Sequence, residues 1–172
     1  MTSMKRATIT IIIPVFNVEN FVKETLLSVK NQISSSDEVI VIDDGSTDNS
    51  FKIINNFRDL DGWKIIQTTN QGLGLTRNLG RSLAKSEYIY FLDSDDIIKD
   101  NLINQIRGII LQYNKPDMIL FSGETFDDNQ KKNKKLNLKF TLNGEFYRES
   151  QLITKLTEKK ETLPQVSRYI TK

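Results

Sequence analysis

Tyr88-Ile89-Tyr90-Phe91-Leu92-Asp93-Ser94-Asp95-Asp96 decides how the rest of the chain is read. An aromatic and aliphatic run of strand length stops at three carboxylates within four residues. Such a composition describes a buried strand that ends at a solvent-facing edge. Asp93 and Asp95 are one residue apart, so in a turn both can aim oxygens at a single point. Like charges held that close call for a cation between them, and hard oxygen ligands suit Mn2+ or Mg2+. An Asp/Ser-rich turn that caps the following helix is the competing reading of the same residues.

Upstream, residues 8–13 are β-branched throughout and run into Pro14, which cannot donate to a sheet ladder and so marks the strand's expected exit. Apolar residues at 18, 21, 22, 26 and 29 recur at helical spacing and predict a helix over 18–30, with Asn17 as its N-cap. Residues 38–42 form a second apolar strand, closed by Asp43-Asp44-Gly45-Ser46-Thr47-Asp48-Asn49-Ser50 and a helix carrying Phe51, Ile53, Ile54 and Phe57. Residues 63–67 make a third strand. The polar loop 68–74 then leads to a helix over about 75–84 that carries Arg77 and Arg81. Downstream of the acidic turn, a helix is expected over 101–112 and a fifth strand over 117–121.

Strand and helix alternating over short links, with strands apolar on both faces, predict an α/β sandwich: a mostly parallel central sheet flanked by helices. Its ligand crevice lies at the strands' carboxyl ends. The loops 14–19, 43–48 and 93–96 all fall there. Beyond Gly123 the character changes, with Lys131, Lys132, Lys134 and Lys135 ahead of an alternating stretch at 136–140. A small β flap or hairpin is expected, then a helix over 149–160 and a short strand or connection over 165–170.

Composition narrows the chemistry. The 172 residues fit one domain with a real core, and Lys+Arg 24 against Asp+Glu 22 leaves +2, no field that points to nucleic acid. Cys 0 and His 0 exclude a disulfide framework, thiolate or imidazole metal ligands and a Ser-His-Asp triad. Acid–base work falls to carboxylates, Lys or Tyr. The apolar run at 9–15 is too short to span a bilayer and lacks a cleavage site, so a cytoplasmic protein is expected. The basic run 131–139 offers a contact with an anionic acceptor or with the inner face of the membrane; a solvated hairpin tip is the reading favoured for a charge run of this length.

Four stretches together resemble a known family. They are Ile12-Ile13-Pro14-Val15-Phe16-Asn17-Val18-Glu19, Val41-Ile42-Asp43-Asp44-Gly45-Ser46-Thr47-Asp48, Asn70-Gln71-Gly72 with Thr76-Arg77-Asn78, and Phe91-Leu92-Asp93-Ser94-Asp95-Asp96. In this order they are similar to the signatures of the family 2 inverting glycosyltransferases of GT-A fold. The resemblance covers residues 7–121.

It implies a nucleotide-sugar donor, usually UDP-linked, a glycan or lipid-linked acceptor in surface polysaccharide synthesis of the capsule or lipooligosaccharide type, and a divalent metal. On that resemblance Asp93 and Asp95 hold the metal, Asp93 and Ser94 adjoin the donor, and Asp44 meets the uracil or ribose. Pro14, Phe16 and Asn17 line the first strand's exit, with Phe16 either covering the base or packing in the core. Glu19 belongs to the first motif or serves a helix dipole. Arg77 reaches the donor or, the reading favoured by so many nearby acids, pairs with the carboxylates of 93–96.

The family's acceptor-side Glu-Asp pair has no match after Asp96, although Glu124, Asp127, Asp128 and Glu145 are available acids. The expectation is therefore a donor core at 7–121, followed at 122–172 by a flap and the start of an acceptor region, together a portion of a longer enzyme. A nucleotide-sugar-binding module without turnover is the alternative. A nucleotidyltransferase shares the architecture, but its Gly-rich basic loop is missing after Ile13.

Overall fold

The computed structural model describes residues 6–120, together with the backbone of short strands at 124–125, 134–135 and 169–171. In chain order the elements are β1 (Ile9–Val15), α1 (Val22–Lys30), β2 (Glu38–Asp43), α2 (Ser50–Asn55), β3 (Trp63–Gln67) and α3 (Leu73–Leu83). There follow β4 (Tyr88–Phe91), α4 (Leu102–Gln112), β5 (Met118–Leu120), β6 (Glu124–Thr125), β7 (Lys134–Lys135) and β8 (Tyr169–Thr171). Packing divides the chain into one unit of Met1–Ile119 with Ile170–Lys172 and a second of Leu120–Tyr169. Within the second, β6 and β7 pair antiparallel.

The main sheet has the order β3-β2-β1-β4-β8-β5. β1 lies at its centre, parallel to both β2 and β4, and β2 is parallel to β3. Every residue of β1 is buried, as a parallel strand covered on both faces requires. Each such Ile or Val withdrawn from water contributes on the order of 1.5–3 kcal/mol. On one face α3 sits almost directly on β1, because a Cβ at Gly80 would stand 2.4 Å from Ile12 Cγ2. Only a residue without a side chain permits that approach.

Pro14 does not end β1. The strand continues to Val15, with Pro14 opposite Ile42 and Val15 opposite Asp43. The carbonyl of Ile12 accepts from Leu92 N on the β4 side, and that of Val15 accepts from Asp44 N on the β2 side. Alternation therefore aims the proline nitrogen at the β4 side, two residues past the last β1–β4 register pair, Ile12 with Phe91. No ladder bond is lost there.

α1 starts four residues later than its apolar spacing predicts, after a turn in which Phe21 N and Val22 N both donate to Val18 O. Asn17 is not its cap: it adopts φ +51, and the N-cap position is taken by Phe21. The short strand or connection expected over 165–170 is met by the strand β8. It overlaps the expected 165–170 segment and inserts antiparallel beside β4, between it and β5. The expected strand at 136–140 lies outside the described residues apart from its approach at β7, and the expected helix over 149–160 lies wholly outside them.

α4 buries Ile103, Ile106, Arg107 and Ile110. Arg107 on that stripe is paired: its Nη2 donates to Asp37 Oδ2 at 2.5 Å and its Nε to the Ala7 carbonyl. Asp37 also accepts from Ile9 N, Ser34 N and Ser34 Oγ. This buried ion pair ties α4 to the amino-terminal end of the sheet, away from the edge where the acidic loops emerge. Among the described residues no helix is long and apolar enough to cross a membrane.

Candidate functional site

β1, β2 and β4 run in parallel, so the loops 16–19, 44–49 and 92–97 leave the sheet at the same edge. Asp43 closes β2 in full burial, with Oδ2 accepting from Gln67 Nε2 at 3.1 Å and Oδ1 without a partner among the described residues. Asp44, 4% exposed, turns its carboxylate toward the loop ahead of α3. Its Oδ1 accepts from Gln71 N at 2.9 Å and Thr68 Oγ1 at 3.3 Å, and its Oδ2 accepts from Gly72 N at 2.9 Å. Gly45 follows at φ +75, where a Cβ would stand 2.7 Å from Asn70 N. The Asp-Asp-Gly sequence thus welds two loops into one block, and Gly72 begins α3 from it.

The loop after β1 is bound to the loop after β2. Asn17 N donates to Ser46 Oγ, Val18 N to Ser50 Oγ and Glu19 N to Asp48 Oδ2. In return Thr47 N donates to Asn17 Oδ1 at 2.8 Å, while Asn49 N and Nδ2 both donate to Glu19 Oε2 at 2.8 Å. Glu19 therefore serves the start of α2 and not that of its own helix. Desolvation pushes the Asp48 carboxyl up, but the hydrogen bonds from Ser50 and from Glu19 N outweigh it and hold the group below the usual carboxylate range. Asp48, Ser46 and Ser50 were not singled out from sequence. Their signal was the hydroxyl- and amide-rich run behind Gly45, a composition that favours side-chain bonds to backbone.

At the end of β4, Asp96 N donates to the Asp93 carbonyl and closes a turn. Ser94 is buried, and its carbonyl accepts from Thr25 Oγ1 of α1 at 2.8 Å. Asp95 faces solvent and makes no hydrogen bond to a described residue. Asp93 Oδ1 accepts from Arg77 Nη2 at 2.5 Å, the side chains being 24% and 15% exposed. Arg77 Nε is buried without an acceptor among the described residues. No cluster of three carboxylates forms among the described residues. A free carboxylate at Asp95 and a second at Asp93 do fit Mg2+ or Mn2+ of the kind that completes its octahedron with water and substrate phosphate oxygens.

Phe16 stands 46% exposed at this edge, so the core alternative does not describe it. Pro14 is buried within β1. Asn17 and Glu19 are at the edge, where Asn17 Oδ1 and Glu19 Oε2 are engaged by the neighbouring loop. Asp127, Asp128 and Glu145 lie outside the described residues, as does the side chain of Glu124.

The parallel strands β3-β2-β1-β4, with acidic loops at their carboxyl edge, form a Rossmann-like domain, of GT-A fold by its family and solved neighbours. Residues 10–166 match the family described as glycosyl transferase family 2, and the chain belongs to that family. An uncharacterized glycosyltransferase of Haemophilus influenzae is 44% identical over 111 residues, 63% of this chain and 44% of the relative. The poly(ribitol-phosphate) beta-N-acetylglucosaminyltransferase TarP of Staphylococcus aureus is 33% identical over 116 residues, 65% of this chain and 35% of the relative. The crystal structure of S. aureus TarS 1-349 in complex with UDP-GlcNAc superposes with a TM-score of 0.61 at 32% identity, covering 66% of this chain and 33% of that one. The match thus spans less than half the length of these curated relatives.

Proposed function

We propose that this chain binds the donor for an inverting, metal-assisted glycosyltransferase, with residues 7–121 as the nucleotide-sugar core and residues 122–172 as a flap and the start of an acceptor region. The donor is a UDP-linked hexose or N-acetylhexosamine, and the acceptor is a growing or lipid-linked surface glycan. One observation carries this reading: Asp44, Arg77, Asp93 and Asp95 stand on loops or on a helix that emerge at one edge of a parallel sheet. The UDP-GlcNAc complex of TarS and the name of TarP support the choice of donor and of glycan class.

Within this reading Asp93 and Asp95 hold a divalent cation, Mn2+ or Mg2+, with the donor's phosphates. The cation, when bound, neutralises charge on the departing diphosphate. Arg77 keeps the Asp93 carboxylate in one orientation and adds a positive charge beside the phosphates. Ser94 adjoins the donor from the same turn, whose backbone Thr25 Oγ1 of α1 holds through the Ser94 carbonyl. Asp44 fixes the loop that borders the nucleoside, and the exposed ring of Phe16 covers the base. The work is cytoplasmic, with the basic run 131–139 meeting the inner membrane face; vesicles with and without anionic lipid test that part.

Calorimetry with UDP, with and without Mn2+, tests the core of the proposal on the wild type and on Asp95→Ala. Binding should require the cation and weaken at least about tenfold in the variant, the loss expected for one charge-assisted contact. Equal affinity in the two proteins contradicts it. Hydrolysis of UDP-sugar in the same samples separates an enzyme from a binding module.

A further inference from the structure

The loop after β1 is fastened to the loop after β2 through a left-handed residue. Asn17 has φ +51, in the left-handed region that few residues with a Cβ other than Asn and Asp occupy. Such backbone persists where its surroundings over-determine it, and it concentrates at functional sites. The restraint here comes from the neighbouring loop. The amides of Asn17, Val18 and Glu19 are spent in succession on Ser46 Oγ, Ser50 Oγ and Asp48 Oδ2, at 3.0, 2.9 and 3.0 Å. None of these three is left to meet a base edge or a phosphate.

The side chains repeat the pattern in the opposite direction. Asn17 Oδ1 is occupied by Thr47 N and Thr47 Oγ1. Glu19 Oε2 is occupied by both nitrogens of Asn49. Between β1 and this clasp stands Phe16, half exposed and attached to the left-handed Asn17.

The geometry points to Asn17 and Glu19 as positioning residues: acting through Thr47 and Asn49, they lock the first loop to the second and so set where Phe16 meets the donor's nucleoside, without touching the donor themselves. This assignment rests on the donor-binding reading above and changes the role that motif position alone gives these two residues. A carboxylate is not required by it. A glutamine Oε1 at position 19 accepts from both Asn49 nitrogens as well as Glu19 does.

The test is UDP calorimetry in Mn2+ on the full chain, with folding of each variant followed by circular dichroism. Glu19→Ala and Asn17→Gly should each weaken UDP about tenfold, the consequence of losing one hydrogen-bonded restraint, while Glu19→Gln stays within about twofold of wild type. If Glu19→Gln weakens as much as Glu19→Ala, Glu19 touches the ligand or its cation directly and the positioning role is overturned. If Glu19→Ala and Asn17→Gly melt earlier but bind UDP as the wild type does, the clasp is structural only, and the proposal is again overturned. Should Glu19→Ala fail to fold, Asn17→Gly against Glu19→Gln gives the same decision. A wild type that does not bind UDP removes the donor reading itself, an outcome distinct from the other two.

Discussion

Arg77 Nη2 and Asp93 Oδ1 meet at 2.5 Å, joining the second turn of α3 to the acidic turn after β4. Because Asp44 holds the backbone of Gln71 and Gly72, and Gly72 is the N-cap of α3, the pair is the far end of a continuous path. That path runs from the end of β2 through α3 to the end of β4. Movement at Asp44 would displace the group that orients Asp93.

Arg77→Ala should therefore do two things. It leaves a mostly buried carboxylate at Asp93 uncompensated, which costs about 1–3 kcal/mol of stability. It also frees Asp93 to rotate, so UDP binding in Mn2+ should weaken more than binding of Mn2+ alone. Thermal melts and calorimetry check the two effects; a loss of stability with unaltered UDP affinity would leave Arg77 a purely structural partner.

Asp44→Asn replaces an acceptor with an amide that must point a donor at either Gln71 N or Gly72 N. One of those bonds is lost, at a cost of about 1–3 kcal/mol. Hydrogen exchange should accelerate selectively at the Gln71 and Gly72 amides, with the β1–β2 ladder still protected. Uniform acceleration across the sheet would show that Asp44 does not act locally.

Gly80→Ala drives a methyl into Ile12, a residue of the central strand with no exposure. Overpacking of this kind costs about 1–3 kcal/mol, so the melting temperature should drop by several degrees. Gly74, with nothing within 4 Å of an added Cβ, is the matched control, and Gly74→Ala should leave the melt within about a degree or raise it slightly.

Asp37 sets an acid limit on the fold. Burial raises its pKa, but the bonds from Arg107 and Ser34 outweigh burial and bring it below the ordinary value of 3.8. Since the folded value is depressed, the stabilisation is complete above pH 3.8 and drains away as pH falls through the lower folded value. Glu38, lowered from 4.5 because bonds from Lys85 N, Lys64 and Thr10 overcome its burial, adds in the same direction. Asp37→Asn should be less stable at pH 7 by about 3–5 kcal/mol, the usual cost of breaking a buried pair, and should lose less on acidification than the wild type does. Parallel pH curves for the two proteins would contradict this.

The four parallel strands were legible because each is a short apolar run, with Asp or Gln at or just past the end of β2, β3 and β4, and the acidic turns named the functional edge. Residue type misled where it carries two meanings. Asn17 suits an N-cap and also the left-handed region, and only the partner loop decides between them. Pro14 lacks an N–H, which matters only if a neighbour strand is there to receive one. Arg107 was illegible, since an arginine on an apolar stripe reads as solvated until Asp37, distant in sequence, is brought beneath it. β8 was legible only as a short strand or connection over 165–170: its antiparallel place comes from β4 and not from any local pattern.

The central claim is that the turn after β4 holds a cation against a diphosphate. Paramagnetic broadening by substoichiometric Mn2+ in the presence of UDP tests it residue by residue. The account predicts that amide signals of residues 93–97 vanish first, those of 44–47 and 70–77 weaken next, and those of α4 at Leu102–Gln112 stay sharp. Broadening that ignores UDP, or that centres anywhere other than the Asp93–Asp95 turn, would contradict it.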